Sequence, residues 1–425
     1  MDTYDVTIIG GGSAGLVLAV AGAKLGKKTA LVEKHRIGGD CLWTGCVPSK
    51  ALLKAAKVAN YIKDAEKYGI SSTLTTPDWQ HVMAYVRSTQ HAIEEEHDNP
   101  ERFREMGVDV IFGDGHFESS DRFVVEDTES GQTRMLESKK FVISTGSRPD
   151  APPIPGLESC GYLDSENVWD LEECPNRLLV VGAGPIGIEL GQAFHRLGAD
   201  VTVAQRSGRI LTKEDTDVSE QMLRYLREEG ITIRLNTNIA QVIQNQEGVY
   251  VTFSGGDSEN GTVEQTFDKI LIAAGRAPNI EGLALDKIGV QVGRSGIEVN
   301  SKLQTSVKNI YAAGDVIGHY LFTHVAAFQA QLLLRNIFFP FSKTINYAVV
   351  PWTTFCDPEV ARCGLTEAEA REKYGDVDVF TLDQADVDRA VAEGETHGFS
   401  KVIASRWTGK ILGVHLVGAN AGEVI

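Results

Sequence analysis

Residues 5–34 read DVTIIGGGSAGLVLAVAGAKLGKKTALVEK, and residues 177–206 read RLLVVGAGPIGIELGQAFHRLGADVTVAQR. The two stretches match in register, with Gly10, Gly12, Gly15 and Gly26 falling on Gly182, Gly184, Gly187 and Gly198. Each is an apolar strand, a G-x-G-x-x-G turn, an amphipathic helix and a second apolar strand, the βαβ unit of a dinucleotide-binding fold. The first glycine permits the tight turn, the second lets the backbone approach a pyrophosphate, and the third lets helix and strand pack closely. A lone glycine turn is a weak signal, but two in the same strand–turn–helix context predict two dinucleotide sites. Glu33 ends the second strand of the first unit, where a carboxylate can accept ribose hydroxyls. The matching position of the second unit holds Gln205, followed by Arg206, so the two sites want different nucleotides.

Outward from these units, FVISTG (141–146) and ILIAAG (270–275) close each copy, and both run into an Arg/Pro turn. Short β-branched segments at about 108–136 and 231–267 predict an antiparallel excursion inside each domain. APPIPG (151–156) reads as a linker. Helical pattern runs over roughly 46–106, with Asp78 placed to cap a helix opening at Trp79. From Tyr347 onward the pattern changes to strand, helix, strand, strand. The expected architecture is α/β: two Rossmann-like domains followed by an α+β interface domain. Its expected boundaries are 1–150 with 278–345, then 151–277, then 346–425.

Composition narrows the function classes. The net charge is −17, with 41 Lys and Arg against 58 Asp and Glu and no basic stripe, which argues against nucleic acid and anionic lipid as partners. No apolar run is long enough for a membrane span, and residues 4–9 already read as a core strand, leaving no room for a secretory leader. Six cysteines in 425 residues are too few for a secreted disulfide scaffold. A cytoplasmic, acidic, multidomain enzyme or binding protein is expected.

Cys41 and Cys46 sit in GGDCLWTGCVPSK (38–50), flanking Gly45 at a predicted helix start. Helix N-termini favour thiolate, so a depressed thiol pKa and a redox-active dithiol are expected there. Competing readings are two buried cysteines or half of a zinc site; Cys356 and Cys363 lack the spacing of a second zinc pair, so no metal site is expected. Cys160 and Cys174 read as filler.

GGDCLWTGCVPSK resembles the redox motif of the class I pyridine nucleotide–disulfide oxidoreductases, which include lipoamide dehydrogenase, mercuric reductase and glutathione reductase. The resemblance extends over essentially the whole chain, through AAGRAPN (273–279), NIYAAGDV (309–316), VPWTTFCDPEVARCGLTEAEA (350–370) and ILGVHLVGANAGE (411–423). It implies FAD held by Gly10, Gly12, Gly15, Glu33, Gly115, Ser144, Thr145, Gly146 and Asp315, with His324 in the segment covering the flavin's pyrimidine edge. It further implies a Cys41–Cys46 disulfide and a catalytic Lys50–Glu189 pair with Lys50 beside the flavin. NAD(P)H would bind at Gly182, Gly184, Gly187, Gln205, Arg206 and Gly275. Gln205 removes a carboxylate that would repel a 2′-phosphate, and Arg206 with Arg209 could bind one, so NADPH is expected over NADH. The implied activity passes electrons from NAD(P)H through FAD to the dithiol, then to a small disulfide or Hg(II), in a homodimer. The alternative is a flavin-binding redox sensor or structural subunit without turnover.

Two departures from the family pattern stand out. Trp43-Thr44-Gly45 replaces the usual Asn-x-Gly between the cysteines. The sequence stops before the tail in which family members carry a His–Pro–Thr segment and a Glu, and neither His397 nor His415 sits in that motif. The interface domain therefore reads as lacking its C-terminal end, or as using different acid–base chemistry.

Overall fold

The computed structural model describes residues 2–73, 76–256 and 262–425. The chain falls into two compact units: Met1–Pro48 with Arg87–Asp150 and Arg276–Asn346, and Ser49–Val86 with Ala151–Gly275 and Tyr347–Ile425.

In the first unit, Val6–Ile9 lies between Thr29–Glu33 and Phe141–Ile143, and Ile310–Ala312 and the first half of Val108–Ser119 flank these, all parallel. These strands are short and almost wholly apolar because helices and loops cover both faces. The second half of Val108–Ser119 turns antiparallel with Arg122–Asp127 and Thr133–Ser138, the excursion expected from the β-branched run. Phe117 packs edge-on against Phe123 and Phe141 at 5.0 and 5.1 Å, joining the parallel and antiparallel parts of one core. Gly115 serves that packing, since a Cβ there would lie 2.4 Å from the Phe123 ring.

In the second unit, Thr232–Arg234, Asp200–Ala204, Arg177–Val181 and Lys269–Ile272 form a parallel sheet in that order. The antiparallel meander Thr237–Asn245, Gly248–Gly255 and Thr262–Phe267 is inserted before its last strand; residues 257–261 of the expected β-rich stretch lie outside the described residues. The C-terminal part is a five-stranded antiparallel sheet, Pro351–Thr354, Glu359–Gly364, Ile411–Gly418, Phe399–Ser405 and Val377–Asp383 in spatial order. Trp79 opens the helix Trp79–Ile93 and stacks on Phe194 at 5.2 Å; Asp78 caps that helix by accepting the His81 N–H at 3.2 Å.

Candidate functional site

The first glycine loop connects Val6–Ile9 to the helix Ser13–Lys24. Gly10 adopts φ +105°, and a Cβ there would come 2.3 Å from the Ser144 carbonyl oxygen. A Cβ on Gly15 would lie 1.9 Å from the Gly10 carbonyl oxygen. Only glycine fits either position. Gly12 caps the helix without any side-chain bond, so the first-turn N–H groups face outward uncapped, as a phosphate cradle requires. Ser144 locks the loop by donating to the carbonyls of Ile9 and Gly10 at 3.2 and 3.0 Å. Thr145 donates to the Asn279 carbonyl at 2.6 Å, and Gly146 turns with φ +72°. Glu33 accepts the Gly11 N–H at 2.6 Å and the His35 N–H at 2.8 Å.

Asp315 follows the turn at Gly314 and accepts from the Ser147 hydroxyl at 2.8 Å. Burial raises its carboxyl pKa against the opposing pull of that bond and of Arg276. Arg276, which sequence reasoning left in a turn, bonds the Ser147 hydroxyl at 2.7 Å and pairs with Asp40.

The dithiol sits at a junction of two helices, where one had been expected. Cys41 belongs to the short helix Gly39–Trp43 and Cys46 is the first residue of Cys46–Lys63. Cys46 therefore opens a long helix, whose N-terminus favours a negative sulfur, whereas Cys41 is the third residue of a five-residue one. The side chains of Cys41 and Cys46 are hydrogen-bonded partners, and this bond, followed by burial, pushes the Cys41 thiol far above its ordinary range. The expected depressed pKa is thus reversed at Cys41 by the bond from its neighbour and by burial. Thr323 Oγ1 stands 3.1 Å from Cys46 Sγ, a contact that sequence reasoning missed although the adjacent His324 was singled out. His324 itself is exposed on the first turn of the helix Thr323–Phe338 and stacks on Phe322 at 5.5 Å. Trp43, the departure from the motif, is fixed by its indole N–H to the Ile37 carbonyl at 2.8 Å and by the Arg36 guanidinium 4.8 Å from its ring. Gln90 clamps the same turn by donating to the Leu42 and Trp43 carbonyls at 3.2 and 2.8 Å.

In the second unit Lys50 and Glu189 meet at 2.9 Å, with Glu189 buried and Lys50 more open. The Phe355 N–H donates to the other Glu189 oxygen at 2.9 Å, and Lys50 Nζ lies 4.4 Å from the Phe355 ring centre. Phe355 was legible only as part of a strand.

The second glycine loop repeats the first. Gly182 has φ +105°, a Cβ on Gly187 would lie 2.0 Å from the Gly182 carbonyl oxygen, and Gly184 is an uncapped N-cap with open space at its Cβ position. Gln205 Oε1 accepts the Ala183 N–H at 3.1 Å. Arg206 is exposed, whereas Arg209 is engaged with Thr216 and the Thr212 carbonyl. Gly275 lies exposed in the turn after the last strand of this sheet.

Two uncapped glycine-loop helices, a hydrogen-bonded thiol pair and a buried acid–lysine pair define a redox enzyme that works with dinucleotides and a dithiol. Comparison with known proteins agrees with this class. Residues 4–330 match the pyridine nucleotide-disulphide oxidoreductase family, and residues 350–425 match its dimerisation domain. A mercuric reductase of Lysinibacillus sphaericus is 37% identical over all of this chain and 76% of its own length. A dihydrolipoyl dehydrogenase of Bacillus subtilis is 33% identical over 99% of this chain and 90% of its own. The HOCl-induced flavoprotein disulfide reductase RclA of Escherichia coli superimposes with a TM-score of 0.86 at 29% identity, over 99% of this chain and 91% of that one. The chain belongs to the pyridine nucleotide–disulphide oxidoreductase family and is a flavoprotein that uses FAD and NAD(P)H. Its C-terminal sheet is the dimerisation domain of a homodimer. Among the described residues no helix is long and apolar enough to cross a membrane.

Proposed function

We propose that the chain is an NADPH-linked cytoplasmic reductase that delivers electrons through the Cys41/Cys46 dithiol to a small disulfide or to a thiophilic metal ion such as Hg(II). The hydrogen-bonded pairing of Cys41 and Cys46 carries this reading, because it leaves two sulfurs within reach of each other at a helix N-terminus. The first glycine loop fits the ADP part of FAD, with uncapped N–H groups for the pyrophosphate and Glu33 at the ribose position. The second loop fits NADPH, with Arg206 open to a 2′-phosphate. FAD, when bound, relays two electrons from the nicotinamide to the dithiol. In the oxidised protein the two sulfurs are joined; two electrons and one proton open that bond to a Cys46 thiolate and a Cys41 thiol. Cys41 then attacks a substrate disulfide, forming a mixed disulfide and releasing the first thiol with the Cys41 proton. Cys46 attacks the Cys41 sulfur, restores the internal disulfide and displaces the second thiolate. Lys50, held by Glu189, places a positive charge that favours reduced, negatively charged flavin. The mercuric reductases and dihydrolipoyl dehydrogenases among its relatives support the two substrate classes.

Anaerobic titration with NADPH tests the reading. Two electrons should produce a long-wavelength thiolate-to-flavin band and expose two new thiols, and Cys46→Ser should abolish both while keeping FAD. Wild-type protein in which both cysteines titrate as thiols before reduction would overturn the assignment. Steady-state turnover with lipoamide, other small disulfides and Hg(II) then selects the substrate.

A further inference from the structure

Glu189 is one of three polar side chains with which the helix Pro185–Arg196 holds a single short segment, Phe355–Asp357. Glu189, Gln192 and Arg196 follow the i, i+3, i+7 spacing that puts them on one helix face. Glu189 accepts the Phe355 N–H at 2.9 Å. Gln192 accepts the Asp357 N–H and donates to the Asp357 carbonyl, both at 2.7 Å. Arg196 donates to the Asp357 carboxylate at 2.7 Å. Glu229, at the end of the helix Thr216–Glu229, fixes this row by accepting from Gln192 at 2.7 Å and from Arg196 at 2.5 Å. Gln192 is 1% exposed, and an amide is costly to bury unless both of its groups are bonded, as they are here. The helix Cys46–Lys63 brings two lysines to the same residues: Lys50 to Glu189 at 2.9 Å and, two turns on, Lys57 Nζ to within 3.7 Å of the Asp357 carboxylate. All of these side chains lie in the second unit.

We propose that Gln192 is a positioning residue for Lys50: by bonding both backbone groups of Asp357 it holds the Phe355 N–H on Glu189, which keeps that carboxylate aimed at the Lys50 ammonium. Asp357, tied by Arg196, anchors the segment. The bonds run without a gap from Gln192 to Asp357, two residues along the chain to Phe355, then to Glu189 and Lys50. If the segment shifts, Glu189 loses a donor, and Lys50 loses a fixed acceptor and the Phe355 ring 4.4 Å from its Nζ. Gln192 carries no charge, so its influence on the flavin runs through the place it leaves for Lys50. This rests on the reading that the charge of Lys50 favours reduced flavin.

The test is the midpoint potential of the bound flavin, measured against a redox dye in the FAD-loaded protein. Gln192→Met removes the amide at similar length and changes no charge. The flavin should become about three- to tenfold harder to reduce, the range for one partly screened charge displaced by a few ångström, or a drop of about 15–30 mV for a two-electron couple. In a Lys50→Met background the same substitution should change that equilibrium by less than about twofold, as expected once the residue it acts through is gone. An unchanged potential in Gln192→Met, or an equal drop with and without Lys50, overturns the proposal. Asp357→Asn gives a second test that does not depend on Gln192→Met folding. Removing a negative charge by itself makes flavin easier to reduce, whereas a displaced Lys50 makes it harder, so the proposal requires a drop. An unchanged or raised potential in Asp357→Asn overturns it. The underlying reading fails separately: if Lys50→Met alone leaves the potential unchanged, that reading and the proposal fall together, whereas a drop in Lys50→Met without one in Gln192→Met strikes the proposal alone.

Discussion

The two glycine loops share one backbone and differ in the charge of the side chain that braces it. Gly10 and Gly182 both adopt φ +105°, and Gly15 and Gly187 both leave 1.9–2.0 Å between an imagined Cβ and the carbonyl five residues earlier. In each unit a side chain at the end of the second strand, Glu33, or just after it, Gln205, accepts the N–H between the first two glycines, from Gly11 at 2.6 Å and from Ala183 at 3.1 Å. A side-chain oxygen at that position is thus part of how the loop is built, whichever nucleotide it serves. Its charge is the free variable. Glutamate brings a negative charge to the ribose position, whereas glutamine keeps the structural bond and removes the charge. Nucleotide choice therefore separates from loop geometry.

The largest effect comes from destroying the shared geometry in one loop at a time. Gly15→Ala and Gly187→Ala each force a methyl against a carbonyl, a cost of about 1–3 kcal/mol or more, equivalent to roughly five- to over a hundredfold in ligand occupancy. Gly15→Ala should purify with little FAD. Gly187→Ala should keep its FAD and be reduced by dithionite, yet lose reduction by NADPH. If Gly187→Ala also sheds FAD, the loops are not independent and the comparison breaks.

A smaller change addresses the free variable alone. Arg206 is the open cation of the second loop, and Arg209 is held by Thr216 and the Thr212 carbonyl. One charge-assisted contact to a 2′-phosphate is worth about 1.5–3 kcal/mol, or roughly ten- to a hundredfold. Arg206→Glu should lower the NADPH-to-NADH ratio of kcat/KM by that factor. Gln205→Glu, which writes the first loop's residue into the second, should lower it in the same direction with the fold intact. A wild-type ratio at or below unity would show that glutamine at this position does not select the phosphate.

How much of this was legible in the sequence depends on the range of the signal. Glycine turns, strand pairs and the antiparallel excursions could be read because they are local and periodic, and the spacing from Gly10 to Glu33 located a side chain that the fold brings back to the loop. The pairing of Lys50 with Glu189 was legible only through family resemblance, since nothing local to either residue points to the other. Phe355, Thr323 and Arg276 escaped because their roles arise from chain reversals far away in sequence, with no period to betray them. The Cys41 thiol was misjudged for a different reason. A break at Thr44–Gly45 splits the expected helix in two, and the bond from Cys46 and burial, which no local pattern shows, push the Cys41 thiol up.

The smallest expected effect separates the surroundings of the two loops. Behind the second loop, the turn before the helix Thr216–Glu229 runs into a buried polar cluster in the same unit. Lys401 pairs there with Asp215, Asp217 and Glu367 at 3.1, 2.8 and 2.9 Å. His415, 1% exposed in its side chain, places Nε2 at 3.2 Å from the Leu365 carbonyl and 3.3 Å from Asp215. Among the described residues, its Nδ1 and the Glu214 Oε2 have no hydrogen-bond partner. Burial lowers the pKa of His415 below the ordinary histidine value, against the pull of Asp215. The unfolded chain then takes up this proton before the folded one does as pH falls through about 6.5. The stabilisation is therefore present above that pH and is lost on acidification towards the lower folded value. His415→Gln cannot titrate, so the thermal stability of wild type relative to this variant should be greatest near pH 7.5 and shrink by pH 5. For a unit of this size each kcal/mol is about 2–4 °C in Tm, so the change should be a few degrees, read on the holoenzyme at fixed ionic strength. A wild-type–variant difference that stays constant from pH 7.5 to 5 would show that His415 binds its proton equally in both states, and that acid does not distinguish the second loop's surroundings.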